Sequence, residues 1–99
     1  MNYRIAPEAR QDLADIWWFI AQESPSGADR VLDTIRGHFR LIAQNKEPGR
    51  ERSELGPGLR SLVVRKYRRC LVFYCPRPDE IDIVRVLDES RDLKRVFKR

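Results

Sequence analysis

Histidine is almost missing from this chain: His38 is the only one in 99 residues. Cysteine is nearly as scarce, with Cys70 and Cys75 alone, and there is one methionine. These shortages narrow the chemistry. A Ser/His/Asp or Cys/His set needs a histidine beside a nucleophile, and no Ser, Cys or Asp is placed near His38 in sequence to make it catalytic. We expect His38 to be a surface or boundary residue. A zinc site needs more ligands than two cysteines and one distant histidine provide, so no metal or other cofactor is expected. Five residues apart on one strand, the cysteines point to opposite faces and cannot pair, which fits a reducing compartment. No apolar run approaches the roughly 18 residues that span a bilayer. The opening MNYRIAPEARQDL has no apolar core and no small-residue cleavage site, so a cytoplasmic protein is expected. No glycine loop introduces a helix, and Gly56-Pro57-Gly58 reads as a turn, not a phosphate cradle.

What is abundant is positive charge. Twenty Lys+Arg against fifteen Asp+Glu give a net charge of +5. Arginine dominates, and its planar donor fork suits phosphates, carboxylates and interfaces. The balance implies an acidic partner, nucleic acid or protein, and charge alone does not separate the two. At 41% hydrophobic and 35% charged, the composition is globular. The length is that of one domain, 1–99.

Local signals place the elements. Residues 2–5 form a short strand. Pro7 suits the first position of a helix, where Ala9, Leu13, Ile16, Trp17 and Ile20 make one apolar stripe. Neighbours on a helix sit about 100° apart, so Trp17 and Trp18 cannot both face one core. Trp18 either folds over the sheet edge or meets a partner. Ser24 caps a second helix with Pro25 at its start. Ala28, Leu32, Ile35, Phe39 and Ile42 follow at spacings of 4, 3, 4 and 3, a seam for the first helix, so the pair forms an αα-hairpin. Gly37 in that helix is expected to permit close packing. Pro48-Gly49 ends the helical region, and a charged loop runs over 49–57. Three strands follow, 59–65, 69–75 and 81–87, with Lys66 in a tight connection and two prolines in the turn 76–80. In the last strand Ile81, Ile83, Arg85 and Leu87 fall on one side, and Asp82, Val84 and Val86 on the other. Residues 92–97 make a short final helix or a tail. The fold class is α+β: β-α-α-β-β-β, an antiparallel or mixed sheet packed on an αα-hairpin, with the other sheet face, or one end of it, left open for a partner.

The chemistry-bearing residues of the meander are Arg50, Arg52, Arg60, Arg65, Arg68, Arg69, Arg85 and Arg91, with Lys66 and Tyr67. They either gather into a surface for phosphates or an acidic chain, with Tyr67 and Tyr74 available to stack on bases, or pair with Glu51, Glu54, Asp82, Asp88 and Glu89. Arg85 interrupts an apolar alternation, so it is half-buried and needs a partner.

Five stretches carry a resemblance: ARQDLADIWWFIA (9–21), SPSGADRVLDTI (24–35), PGRERSELGPGLRSLVV (48–64), YRRCLVFY (67–74) and IDIVRVLDESRDL (81–93). In this order they resemble the ParE family of the RelE/ParE toxin superfamily, from type II toxin–antitoxin modules. The resemblance implies the RelE/ParE-like fold and a toxin held inactive by a cognate, ParD-like antitoxin with an acidic C-terminal segment. A dimeric antitoxin would bring two toxins into a heterotetramer or larger complex. For ParE relatives the implied target is DNA gyrase, trapped with cleaved DNA so that replication stalls and growth arrests. Trp18, Arg50, Arg52, Arg60, Arg68, Arg85 and Arg91 are then the expected antitoxin- or target-binding residues. Arg60→Ala or Arg85→Ala should weaken function more than Arg99→Ala. RelE-like relatives are ribosome-dependent mRNA endonucleases, and in that alternative Arg60, Arg65, Tyr67 and Arg85 are the catalytic candidates. Here Asp88 stands where such relatives often have a histidine after the R-V-L run, and the tail has Phe97 but no histidine or tyrosine. A third alternative is a non-toxic family member that only binds the antitoxin.

Overall fold

The computed structural model describes residues 2–45 and 49–98; Pro48, expected to stop the second helix, and Arg99 lie outside them. Strand β1 (Asn2–Ile5) leads through Ala6 into helix α1 (Pro7–Ala21), with Pro7 at the first helical turn as expected. Ser24 caps α2 (Pro25–Ala43), its side chain accepting the Gly27 N–H at 3.0 Å. The expected seam Ala28, Leu32, Ile35, Phe39 and Ile42 is buried throughout.

The sheet contains β1, β2 (Arg50–Glu51), β3 (Arg60–Val64), β4 (Tyr67–Pro76) and β5 (Glu80–Asp88), in the spatial order β1-β5-β4-β3-β2. Only β1 runs parallel to its neighbour: Tyr3 pairs with Ile81 and Ile5 with Ile83. A single-turn helix, α3 (Leu93–Val96), follows, capped by Asp92. The α+β fold class therefore stands, with one short edge strand added and α3 taking the helical one of the two alternatives expected over 92–97. Two residues give β2 too little length to show a pattern in sequence, and its shortness blunts the open sheet edge.

The main core lies between the sheet and the αα-hairpin, built on Ile35, Phe39, Val64, Val72 and Ile83. Each such side chain contributes about 1.5–3 kcal/mol by leaving water. The second sheet face is not left open as expected. Leu59, Leu71, Phe73 and Leu87 form a smaller core there, closed over by Leu55, Leu93, Val96 and Phe97. The rings of Phe73 and Phe97 lie 4.9 Å apart. Four helical residues and a loop suffice because the strip they cover is narrow.

A β-bulge corrects the reading of β5. Arg85 pairs with Phe73 but Ile83 with Tyr74, so Val84 is an extra residue in the ladder. The bulge reverses the alternation. Val86 thereby joins Ile81 and Ile83 in the main core, and Leu87 packs with Val84 on the second face. The cysteines do divide as expected, Cys70 packing on the main core and Cys75 on the second. His38 is not at the surface: it is 4% exposed. Trp18 is not folded over the sheet either, being 67% exposed.

Two glycines differ sharply in what they permit. A Cβ at Gly37 would meet only Arg40 Nη2, at 3.7 Å, so close packing does not require glycine there. A Cβ at Gly49 would stand 2.5 Å from Tyr74 Oη and 2.6 Å from the Ser61 carbonyl. We expect Gly37→Ala to stabilise the protein by about 0.5–1 kcal/mol through helix propensity. Gly49→Ala should cost about 1–3 kcal/mol through overpacking. Urea unfolding of the two variants reads both signs.

Candidate functional site

Asp12 faces inward from α1 and is 7% exposed. Its carboxylate accepts from Arg85 Nε at 2.8 Å, Arg85 Nη2 at 2.9 Å and the Val86 N–H at 2.9 Å. The bulge at Val84 tips the Val86 N–H out of the strand ladder, and Asp12 takes it up. Arg85 is thus half-buried and partnered, as the sequence requires. Its pKa is raised by the Asp12 hydrogen bond, against the opposing effect of desolvation. Asp12 was absent from the sequence-derived candidates. Its signal is its place on the buried stripe, three residues after Ala9 and four before Ile16, where an acid needs a cation.

Beside this clamp runs an open groove of about 730 Å³ between α1 and the neighbouring ends of β4 and β5. Ile16, Phe19, Ile20, Val31, Tyr67 and Val86 supply its apolar lining, and Lys66, Arg68, Arg69 and Arg91 its cations. Phe19 is 77% exposed. Arg69 lies 3.6 Å from Asp88. No hydrogen bond or ion pair within the described residues engages the side chains of Lys66, Arg68 or Arg91. The carboxylates of Asp12, Asp15 and Asp88 also line it, Asp12 bound to Arg85 and Asp88 beside Arg69, so the groove joins exposed apolar surface to a rim in which cations outnumber acids.

The tip of the β3–β4 hairpin forms one end of the groove, and His38 anchors it. His38 Nε2 accepts the Arg65 N–H at 3.0 Å. Nδ1, 2.8 Å from the Thr34 carbonyl, must therefore carry the proton and donate it there. This ties α2 to a turn in which Lys66 takes a left-handed φ of 74°, a costly conformation for a non-glycine residue.

The other expected arginines serve the loop before β3. Arg52 donates to Glu54 at 2.9 Å and to Ser61 Oγ at 3.1 Å, and its guanidinium lies over the Phe73 ring. Arg60 donates to the Gly49 carbonyl, while the Gly49 N–H donates to Tyr74 Oη at 2.6 Å. Arg50 is exposed on edge strand β2. Arg60, Arg65, Tyr67 and Arg85 do not converge. Arg60 and Tyr67 sit at opposite ends of the β3–β4 hairpin, about 13 Å apart along the strand. Arg85 is committed to Asp12. Asp88 is held below the usual carboxylate range by hydrogen bonds from the Ser90 side chain and N–H, and then by Arg69.

The sequence model of the family described as "ParE toxin of type II toxin-antitoxin system, parDE" matches residues 3–93. The chain belongs to the ParE toxin family. Within the wider superfamily, it is 31% identical over 86 residues to "Toxin RelE3" of Caulobacter vibrioides, covering 86% of this chain and 90% of that protein. The fold matches a chain of "Chromosomal ParDE TA system from P. aeruginosa" with a TM-score of 0.74 at 21% identity, over 89% of this ParE chain and 95% of that one.

Removing Asp12 leaves Arg85 and the Val86 N–H without their acceptor. Asp12→Ala should lower stability by about 2–3 kcal/mol, and Asp12→Asn by less, because an amide oxygen still accepts the Val86 N–H. Chemical denaturation measures both. Burial, then Asp88 and Asp12, pushes the Cys70 thiol up to about 12. Cys70 should accordingly alkylate far more slowly in the native protein than in urea, read by mass spectrometry.

Proposed function

We propose that this ParE-family toxin acts by binding. Its cognate antitoxin lays an acidic, amphipathic C-terminal segment into the groove between α1 and the sheet, and the toxin freed from it arrests DNA gyrase. The observation that carries this reading is the groove itself: an apolar floor around Phe19 and Tyr67, edged by Lys66, Arg68 and Arg91, whose side chains have no partner among the described residues. An acidic segment that folds on binding gains buried apolar area from the floor and charge pairing from the rim. A two-fold antitoxin would hold two toxins in one heterotetramer. On this reading the toxin acts in the cytoplasm.

For gyrase, the expected result is loss of supercoiling with accumulation of cleaved DNA, both reversed by the antitoxin. Untouched supercoiling at large molar excess would sink the gyrase reading. For the groove, Arg68→Glu with Arg91→Glu should weaken capture of the antitoxin segment at least tenfold at low salt, with the difference narrowing as salt rises. Calorimetric titration tests this.

A second reading, a ribosome-dependent mRNA endonuclease, draws support from the relative named as a RelE toxin. The geometry favours it less. Its candidate residues lie apart, and Asp88, held ionised, is poorly suited to donate a proton. Toeprinting on translated mRNA separates the two: codon-positioned cuts would favour the nuclease.

A further inference from the structure

The other flank of α1 carries a charge pattern unlike the groove's. Trp17 Nε1 donates to Asp29 Oδ1 at 2.8 Å, which sets α1 and α2 antiparallel in a fixed register. Arg10 then lies across from Arg36, and the two share a depression of about 420 Å³ with Leu13, Trp18 and Leu32. Asp29 and Asp33 line an adjoining depression of about 480 Å³ with Trp17 and Arg36. The surface is therefore basic at one end and acidic at the other, the ends about 10 Å apart along α2. Arg10, Asp29, Asp33 and Arg36 are all exposed. Within the described residues Arg10, Asp33 and Arg36 have no side-chain hydrogen bond or ion pair, and Asp29 has only Trp17.

Trp18 stands at the edge of this surface, 67% exposed. Its ring packs edge-on against Trp17 at 5.6 Å, and Trp17 is itself pinned by Asp29. The indole is therefore pre-oriented, which lowers the entropy cost of burying it against a partner. Two arginines balance two aspartates, so a strongly acidic segment gains little here, in contrast to the groove. A face with separated charges of both signs and a projecting ring complements a second copy of itself when the two meet head to tail about a two-fold axis.

We propose that two copies of this chain associate through this face. Their αα-hairpins pack antiparallel, and Trp18 of each copy is buried against the helical face of the other, where apolar burial adds to charge pairing. The basic end of each copy meets the acidic end of the other. This association is independent of the antitoxin groove and of the cellular target.

Sedimentation equilibrium of the purified chain tests the proposal. The mass is expected to move from monomer to dimer as concentration rises through the micromolar range. Trp18→Ser should raise the dissociation constant at least tenfold, and Arg36→Asp or Asp33→Arg should each weaken association. The double variant Arg36→Asp/Asp33→Arg restores opposite charges across the axis and should recover most of the loss. Thermal melting followed by circular dichroism checks that each variant folds, as substitutions at exposed positions should allow. A chain that stays monomeric throughout overturns the proposal. So does a dimer indifferent to Trp18→Ser, or a double variant as weak as its single parents. If Trp18→Ser weakens antitoxin capture and leaves the free chain's mass unchanged, the face serves that partner instead and self-association falls.

Discussion

The carboxylate of Asp12 joins the two halves of the molecule. It binds the Arg85 fork and a strand N–H that the bulge at Val84 releases. Without the bulge, Val86 would face away from the helices, and the end of β5 would present the wrong side chains to the main core. Without the acid, the bulge would leave a buried donor unsatisfied at a cost of about 1–3 kcal/mol. Bulge, arginine and acid therefore require one another. Together they fix the edge of α1 against the sheet, and the groove opens along that edge.

The same accounting sorts the cations. Arg52, Arg60 and Arg85 spend their hydrogen-bonding capacity inside the molecule, on a side chain, a loop carbonyl and a buried acid. Lys66, Arg68 and Arg91 have no such partners among the described residues and stand together beside exposed apolar surface. Cations outnumber acids along the groove on one side of α1, while two arginines and two aspartates balance on the other flank. That contrast gives the two flanks different tastes in partners.

Much of the fold was legible because its determinants are local. Pro7, Ser24 and Pro25 mark helix starts through backbone geometry that no distant residue alters. The seam from Ala28 to Ile42 and the apolar run of β4 likewise show their periods in sequence. What stayed hidden depends on distant partners or on segments too short to show a period. The bulge lies beside residues bound by Asp12, which is 73 residues from Arg85 in sequence. The core that α3 closes draws one to three residues from each of several segments. For the site, Arg85's need for a partner was readable from its interrupted alternation, but which arginines remain free was not. That depends on where the Gly49 carbonyl and the Ser61 hydroxyl come to rest.

The parallel pairing of β1 with β5 has a consequence for synthesis. The first strand's only sheet neighbour is the last strand, with Asn2 opposite Glu80 and Ile5 opposite Ile83. Local contacts can form the αα-hairpin early, but β1 has no sheet partner until β5 has been made. Loop closure over such a span is slow relative to helix formation. On the ribosome the emerging chain therefore passes through a stage in which its helices exist but its sheet, bulge and groove do not. The groove, whose walls come from α1 and from β4 and β5, is therefore among the last features to form.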